Sequence, residues 1–514
     1  MSHFQLACLC VLVGWGLSLL VGACFTPLPV RSLLAWRRAL GAGLAWWMAL
    51  YAMALLLSQR ALFSVALVVV VHAVLVAINR TKWRMLREPF ILQDFEYFTD
   101  ALRHPRLYIP FFGIMRTLLL VSGGAAAIGL FIWLEPNWSY TDPGGWRKML
   151  LVALVLCLIA AGLAWWRAPI LSLDPAQDLP QWGMVGLLHQ HLRLYLRERC
   201  RSLPLPQPAA EWSRVPDVSA GQELPHMVLI QSESFFDPRQ YYPFVRRDLL
   251  PNWDRAWGEA QARGSLQVPA WGANTVRTEA AVLTGLSPDD WGIHRYNPYR
   301  RVVHEDVVSL ASHLRAQGYR TLCLHPYPAS FYFRDKVMPR LGFDRFIDIE
   351  AFEAAERAGQ YIGDLALGRR VSELLARADK PLFIFVITME NHGPLHLESE
   401  PVCAQERFYT APPGPLARDL SVYLDHLLHA DCMLGQLMDS LAVSDRPGSL
   451  CWYGDHVPIM PEVYAKWGEP SGDTPWLIWD TDTVQPATMA APLPAHGLAR
   501  LWLSQLAART MAKT

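Results

Sequence analysis

The chain has 514 residues, of which 52% are hydrophobic and 18% charged, a balance that argues against a wholly soluble protein and for one anchored in a bilayer. Its 46 basic residues match its 46 acidic ones, which leaves no basic stripe and no nucleic-acid partner to expect. A chain this long has room for two domains and a sizeable core.

In chain order, five apolar segments come first, over residues 5–26, 38–57, 60–79, 111–134 and 148–166. Each approaches the ~20 residues that a helix needs to cross the hydrocarbon. Trp46, Trp47, Trp133, Trp165 and Trp166 lie in or near their ends, as an interfacial aromatic belt does. The first segment lacks a small-residue cleavage pattern and is followed by further spans, so it reads as a retained helix. Five spans put the two termini on opposite sides of the membrane. Arg31, Arg37, Arg80, Lys82, Arg84, Arg87, Arg103 and Arg106 sit in the connections of one side, against Arg60, Arg147 and Lys148 on the other. By charge alone the carboxyl-terminal domain would face the cytoplasm.

Residues 1–167 therefore form an expected five-helix membrane domain, and 168–215 a linker. Within that linker Leu171 to Pro180 carries Pro and Asp, and Trp182 to Arg201 has the pattern of an amphipathic helix. It suits either a membrane surface or packing on the next domain. Beyond it, short apolar runs alternate with helical stretches. Strands are expected at Met227–Ile230, Thr321–Leu324, Leu382–Thr388, Leu450–Tyr453 and Trp476–Trp479, and helices at Val307–Ala316, Arg369–Ala378 and Ser421–Leu441. The alternation predicts one α/β domain over 216–514 with a mostly parallel sheet. Nine dispersed cysteines show no metal-binding spacing, and a disulfide through Cys403 stays open.

The chemistry-bearing residues cluster at expected strand ends, where open α/β sheets place their sites. Glu233 follows the first strand, and a carboxylate there is costly to bury unpaired. A metal would relieve that cost; so would an arginine, and Asp237 competes as a ligand. Thr275, at a loop leading into apolar Ala280–Leu283, is either a helix cap or a hydroxyl that a metal could activate. His325 precedes Phe331-Tyr332-Phe333-Arg334-Asp335, where Arg334 could grip a phosphate or pair with Asp335. His392 stands in Asn391-His392-Gly393-Pro394, as a proton carrier or a structural turn residue. Asp455 and His456 follow Gly454, and a carboxylate next to an imidazole suits Mn²⁺ or Zn²⁺.

Together these blocks resemble the lipoteichoic acid synthase family, the membrane phosphoglycerol transferases of the alkaline phosphatase and sulfatase superfamily. The resemblance rests on Ile230–Glu233, Asn274–Glu279, Phe331–Asp335 with Leu341-Gly342-Phe343-Asp344, Asn391-His392 and Tyr453–His456, in that order. It implies a membrane α-helical amino-terminal domain followed by an α/β sulfatase-like domain outside the cytoplasm, against the charge count. Glu233, Thr275, Asp455 and His456 would hold one divalent metal, Mn²⁺ first and Zn²⁺ or Mg²⁺ as alternatives. Thr275 would be the nucleophile, and His392 a catalytic partner. Arg334, Tyr332 and His325 would bind substrate, with Tyr332 standing where family members often carry Trp. The implied reaction moves phosphoglycerol from phosphatidylglycerol, an anionic phospholipid donor, to a hydroxyl of a glycan or polyol-phosphate acceptor. A phosphoethanolamine transferase or an ester hydrolase is the alternative. The Cys/Ser-x-Pro-x-Arg setting of a sulfatase nucleophile does not occur in 270–279, and Arg277 departs from the pattern by placing a cation beside Thr275. No oligomeric state follows from the sequence.

Overall fold

The computed structural model describes residues 3–25, 33–96, 113–135, 144–166, 171–201, 224–402, 404–482 and 488–513. Two compact units result, Met1–Leu203 and Pro204–Thr514.

The first unit holds α1 (His3–Gly22), α2 (Leu33–Ser58), α3 (Ala61–Leu86), α4 (Ile114–Leu134), α5 (Gly145–Trp166) and α6 (Pro175–Arg201). The first five coincide with the five apolar segments. Among the described residues, three stretches are long and apolar enough to span a bilayer: Gln5–Gly22, Ala61–Leu86 and Thr117–Leu134. In α2 and α5 the corresponding apolar stretches are shorter, Gly43–Ser58 and Leu150–Ile159. Leu12, Leu57 and Trp133 are each more than 70% exposed, as lipid-facing side chains are. This is the pattern of a multi-pass membrane protein with a large domain after the last span.

Polar contacts join helices within this unit. Glu135, at the end of α4, accepts hydrogen bonds from the first backbone N–H groups of α3, Ala61 (2.6 Å), Leu62 (2.8 Å) and Phe63 (3.0 Å). A carboxylate there also meets the positive end of the helix dipole. Trp47 Nε1 donates to Ser18 Oγ at 2.8 Å, joining α2 to α1.

Helix α6 starts at Pro175, inside the stretch that reads as a linker. The Pro and Asp content has a helical cause: Pro175 takes the first position, and Asp174 Oδ1 accepts from Ala176 N at 2.9 Å. The helix kinks at Gly183 (φ 65°), buries Trp182, and meets α2 where Trp46 Nε1 donates to His189 Nδ1 at 2.6 Å.

The second unit is built on a nine-stranded sheet. Its strands are β1 (His226–Ser232), β2 (Ala262–Gln267), β3 (Arg320–Leu324), β4 (Arg345–Ile347), β7 (Leu382–Ile387), β8 (Gly448–Gly454), β9 (Thr474–Asp480), β10 (Thr488–Met489) and β11 (Leu493–Pro494); β5 (Arg357–Ala358) and β6 (Tyr361–Ile362) form a separate ribbon. The order is β10-β2-β9-β8-β1-β7-β3-β4, with β11 also on β2. From β8 to β4 every pairing is parallel, whereas β9 runs antiparallel to both β8 and β2. The mostly parallel sheet is as expected. The outer strands escape the sequence pattern because β2, Ala-Arg-Gly-Ser-Leu-Gln, has no apolar run to announce it.

β1 shows why its sequence is continuously apolar. Val228 and Ile230 face a core shared with helices α11 (Asp364–Ala376) and α12 (Arg418–Ala442), through Leu367, Leu427 and Leu434. Met227 and Leu229 face the opposite core with Val276, Leu310 and Trp502. A strand covered on both faces needs apolar side chains at both parities. The helices numbered in between are α7 (Pro251–Glu259), α8 (Thr275–Thr284), α9 (Leu310–Ala316) and α10 (Arg334–Arg340).

Candidate metal centre and its surroundings

Parallel register brings the strand-end residues together. Ser232 of β1 pairs with Gly454 of β8, so Glu233 and Asp455 leave neighbouring strands at the same level. Gly454 is needed there, since a Cβ would overlap the carbonyl oxygen of Phe235. Ligand atoms of Glu233, Asp455 and His456 all lie within 4.8 Å of one another, and all three residues are buried. His456 Nε2 is 3.3 Å from Asp455 Oδ2 and 3.7 Å from Glu233 Oε1.

The hydrogen bonds around the cluster leave a cation-shaped demand. Ser234, held at φ 53°, donates its N–H to Asp455 Oδ1 (2.8 Å) and its hydroxyl to Glu233 Oε1 (2.9 Å). His456 N also donates to Asp455 Oδ1, while Asp455 Oδ2 accepts no hydrogen bond. His456 Nδ1 lies 3.1 Å from Val457 O, and a proton placed there turns the Nε2 lone pair toward the carboxylates. Two carboxylates and one imidazole lone pair facing a shared point fit a divalent cation. Burial, followed by the Asp455 charge, raises the Glu233 carboxyl well above the usual carboxylate range.

Thr275 is the first residue of α8, after Asn274 in a left-handed conformation (φ 66°). Its Oγ1 is 3.5 Å from His456 Nε2, which puts the hydroxyl beside the cluster. Thr275 does not cap the helix, since Asn274 holds the cap position. Thr278 donates to Asp455 O at 2.8 Å and so ties α8 to the end of β8. Asp237, the competing ligand, pairs with Arg239 instead (2.9 Å). Arg277 donates through Nε to the carbonyl of Tyr296 at 3.1 Å, and its guanidinium lies 5.3 Å from the centre of the Tyr296 ring.

Arg334 is almost wholly buried and bonded to Glu279, through Nη2 at 2.7 Å and Nε at 3.1 Å, not to Asp335. Its remaining nitrogen, Nη1, lies 3.2 Å from His325 Nε2, and the Tyr332 ring covers the guanidinium at 5.3 Å. The fork that would grip a phosphate is thus occupied by Glu279, leaving Nη1 as the group nearest to free. Glu279 also accepts from the buried Tyr299 hydroxyl at 2.5 Å. Burial, then Arg334, drives the His325 imidazole well below its ordinary value, so it is neutral.

His392 Nδ1 sits 2.7 Å from Gly393 O and 3.4 Å from the Tyr361 hydroxyl. Burial, opposed by the hydrogen bond to Gly393 O and helped by the nearby His456, lowers its pKa to about 4. A neutral ring that donates from Nδ1 keeps Nε2 as a proton acceptor. Tyr361 and Tyr327 extend the aromatic group, with ring centroids at 5.5 Å (Tyr361–His392), 6.4 Å (Tyr327–Tyr361) and 6.1 Å (His325–Tyr327). Sequence reasoning passed over Ser234, Tyr327 and Tyr361, and only a strand-end position marked the first of them. Cys403 lies outside the described residues; Cys8, Cys10, Cys24, Cys157, Cys323, Cys432 and Cys451 are free thiols.

Comparison with known proteins agrees with this architecture. A capsular polysaccharide biosynthesis protein, RkpI, of Rhizobium meliloti (strain 1021) is 29% identical over 442 residues, 81% of this chain and 77% of that protein. The integral membrane lipooligosaccharide phosphoethanolamine transferase A of Neisseria meningitidis shares the fold at 15% identity and TM-score 0.53, over 93% of this chain and 96% of its own. The lipoteichoic acid synthase LtaP of Listeria monocytogenes aligns at 21% identity and TM-score 0.46, over 60% of this chain and 78% of its own. The Sulfatase family model matches residues 225–506, more than half of the chain and every residue from Glu233 to His456. The chain therefore belongs to the Sulfatase family.

Proposed function

We propose that this protein moves an alcohol-phosphate headgroup from a phospholipid to a hydroxyl of a cell-envelope glycan, with Thr275 as the covalent carrier. The observation that carries the reading is the Thr275 hydroxyl at a helix start, 3.5 Å from the imidazole of the Glu233–Asp455–His456 cluster. A divalent cation held by those residues would lower the hydroxyl's pKa and offset charge on the phosphoryl oxygens. The resemblance makes Mn²⁺ the first candidate.

In the first step Thr275 Oγ1 forms a bond to phosphorus, the phosphorus–oxygen bond to diacylglycerol breaks, and the threonine proton ends on the leaving alkoxide. In the second step an acceptor hydroxyl oxygen bonds to phosphorus, the phosphorus–oxygen bond to Thr275 breaks, and the acceptor's proton ends on Thr275 Oγ1. His392 Nε2, neutral and unprotonated, is suited to take the acceptor's proton. His325 and Nη1 of Arg334 would hold the phosphoryl oxygens, and the positive end of α8 favours that anion.

Phosphatidylethanolamine is the donor we place first. Its support is the whole-chain likeness, membrane unit included, to the Neisseria phosphoethanolamine transferase. An ammonium headgroup also suits the Tyr327–Tyr361 rings next to His392, since a cation over an aromatic face gains about 0.5–2 kcal/mol. Phosphatidylglycerol, implied by the sequence blocks, is the second reading. The relative named for capsular polysaccharide biosynthesis supports a glycan acceptor. Such an acceptor and a lipid donor place the catalytic domain outside the cytoplasm. Purified protein with Mn²⁺ and each lipid in detergent tests the donor: diacylglycerol release from phosphatidylethanolamine only is expected, and release from phosphatidylglycerol only reverses the order.

A further inference from the structure

Away from the metal cluster, a cavity of about 340 Å³ opens between the loop after β1 and helix α7. Its floor is a locked polar plane. Arg239 is buried and bonds Asp237 through Nε (2.9 Å) and Nη2 (3.0 Å), and Asp254 through Nη2 (2.7 Å) and Nη1 (2.9 Å). Nη1 also donates to Arg247 O at 2.8 Å, so the guanidinium has nothing left to give. Asp254 is half exposed.

The walls and rim differ from the floor. Trp257 contributes a half-buried indole with the Arg263 guanidinium 5.3 Å from its centroid, and the buried Trp253 backs it, with centroids 5.4 Å apart and planes tilted by 37°. At the rim, Gln240 and Arg247 are exposed, and their side chains have no partner among the described residues. An apolar ligand does not suit a cavity whose lining is mostly polar and charged. An anion meets two aspartates, and a cation meets two arginines. A neutral polyol ring fits, because it offers donors and acceptors in one plane and apolar C–H faces to the indoles.

The cavity also adjoins the reaction site along the chain. Asp237 is four residues after Glu233, which bounds their separation to about 14 Å. Phe235 lies between them and packs on Trp253, with ring centroids 4.8 Å apart. We propose that the cavity is a sugar-binding subsite. It holds one hexose of a glycan whose neighbouring units extend toward the metal cluster. Only the assignment of that glycan as acceptor rests on the function proposed above.

Calorimetric titration of the full-length protein in detergent tests the subsite, with neutral gluco-, galacto- and manno-oligosaccharides of five or six units and inorganic phosphate as the anion control. Saturable binding of at least one oligosaccharide is expected, weakened at least tenfold in Trp257→Ala and in Gln240→Ala/Arg247→Ala, and unchanged in Thr275→Ala. The double variant alters only exposed side chains, so it remains informative if Trp257→Ala misfolds. Binding equal to wild type in the double variant, or saturation by phosphate and by no oligosaccharide, overturns the subsite. Sugar binding without any adduct on Thr275 would overturn the proposed chemistry and leave the subsite standing; an adduct without sugar binding would do the reverse.

Discussion

Glu233 carries the strongest electrostatic consequence at the scale of single residues. In the metal-free protein its carboxyl holds a proton well above the usual range, so the folded state binds more protons than the unfolded chain above about pH 4.3. The stabilisation is therefore complete below that pH and is lost as pH rises through the raised value. A bound cation replaces the proton and reverses the trend. Metal-free wild type should lose thermal stability relative to Glu233→Gln as pH rises from about 5 to 8, and the Tm gain on adding Mn²⁺ should grow over the same range. A metal-induced gain that is independent of pH would contradict the assignment of Glu233. The Arg334–Glu279 pair gives a second prediction. Both side chains are almost fully buried, and removing one partner of such a pair costs about 3–5 kcal/mol. Glu279→Gln should lower Tm by several degrees in a thermal melt, whereas Asp335→Asn should leave it near wild type.

At the scale of elements, Glu135 joins two helices of the membrane unit by closing the start of α3. Glu135→Ala strips three backbone donors of their acceptor and should cost about 2 kcal/mol, seen as a lower melting temperature in detergent; Glu135→Gln should recover part of the loss. This scale also shows what the sequence reveals. β1, β3, β7, β8 and β9 were legible because each is a short apolar run, and Glu233, Asp455 and His456 because they follow two of those runs. The register that joins them is a pairing 222 residues apart and is visible only in the fold. The same holds for Glu279: its Thr-x-x-x-Glu setting reads locally as a helix start, and its real partner, Arg334, lies 55 residues on. Strand β2 and the Pro175 start of α6 were missed for local reasons, one lacking apolar residues and the other carrying the residues that also make linkers.

For the whole molecule, the charge of the connecting segments and the proposed chemistry point to opposite sides. Part of the basic count is spent inside the protein, since Lys82 is paired with Glu88 (2.8 Å) and Asp94 (2.7 Å). A lipid donor and an envelope glycan acceptor require the catalytic unit outside. Protease added to intact spheroplasts should therefore digest the carboxyl-terminal unit; protection until the membrane is broken would place it inside. The family assignment, the metal-binding cluster and the membrane helices are independent of that outcome, while the covalent role of Thr275 is not independent of the donor. The most direct measurement is the mass of the Thr275 peptide after incubation with Mn²⁺ and phosphatidylethanolamine or phosphatidylglycerol, beside a Thr275→Ala control. The account predicts a headgroup-phosphate adduct on Thr275 with one of the two lipids, together with released diacylglycerol; an unmodified Thr275 with diacylglycerol still released would contradict it.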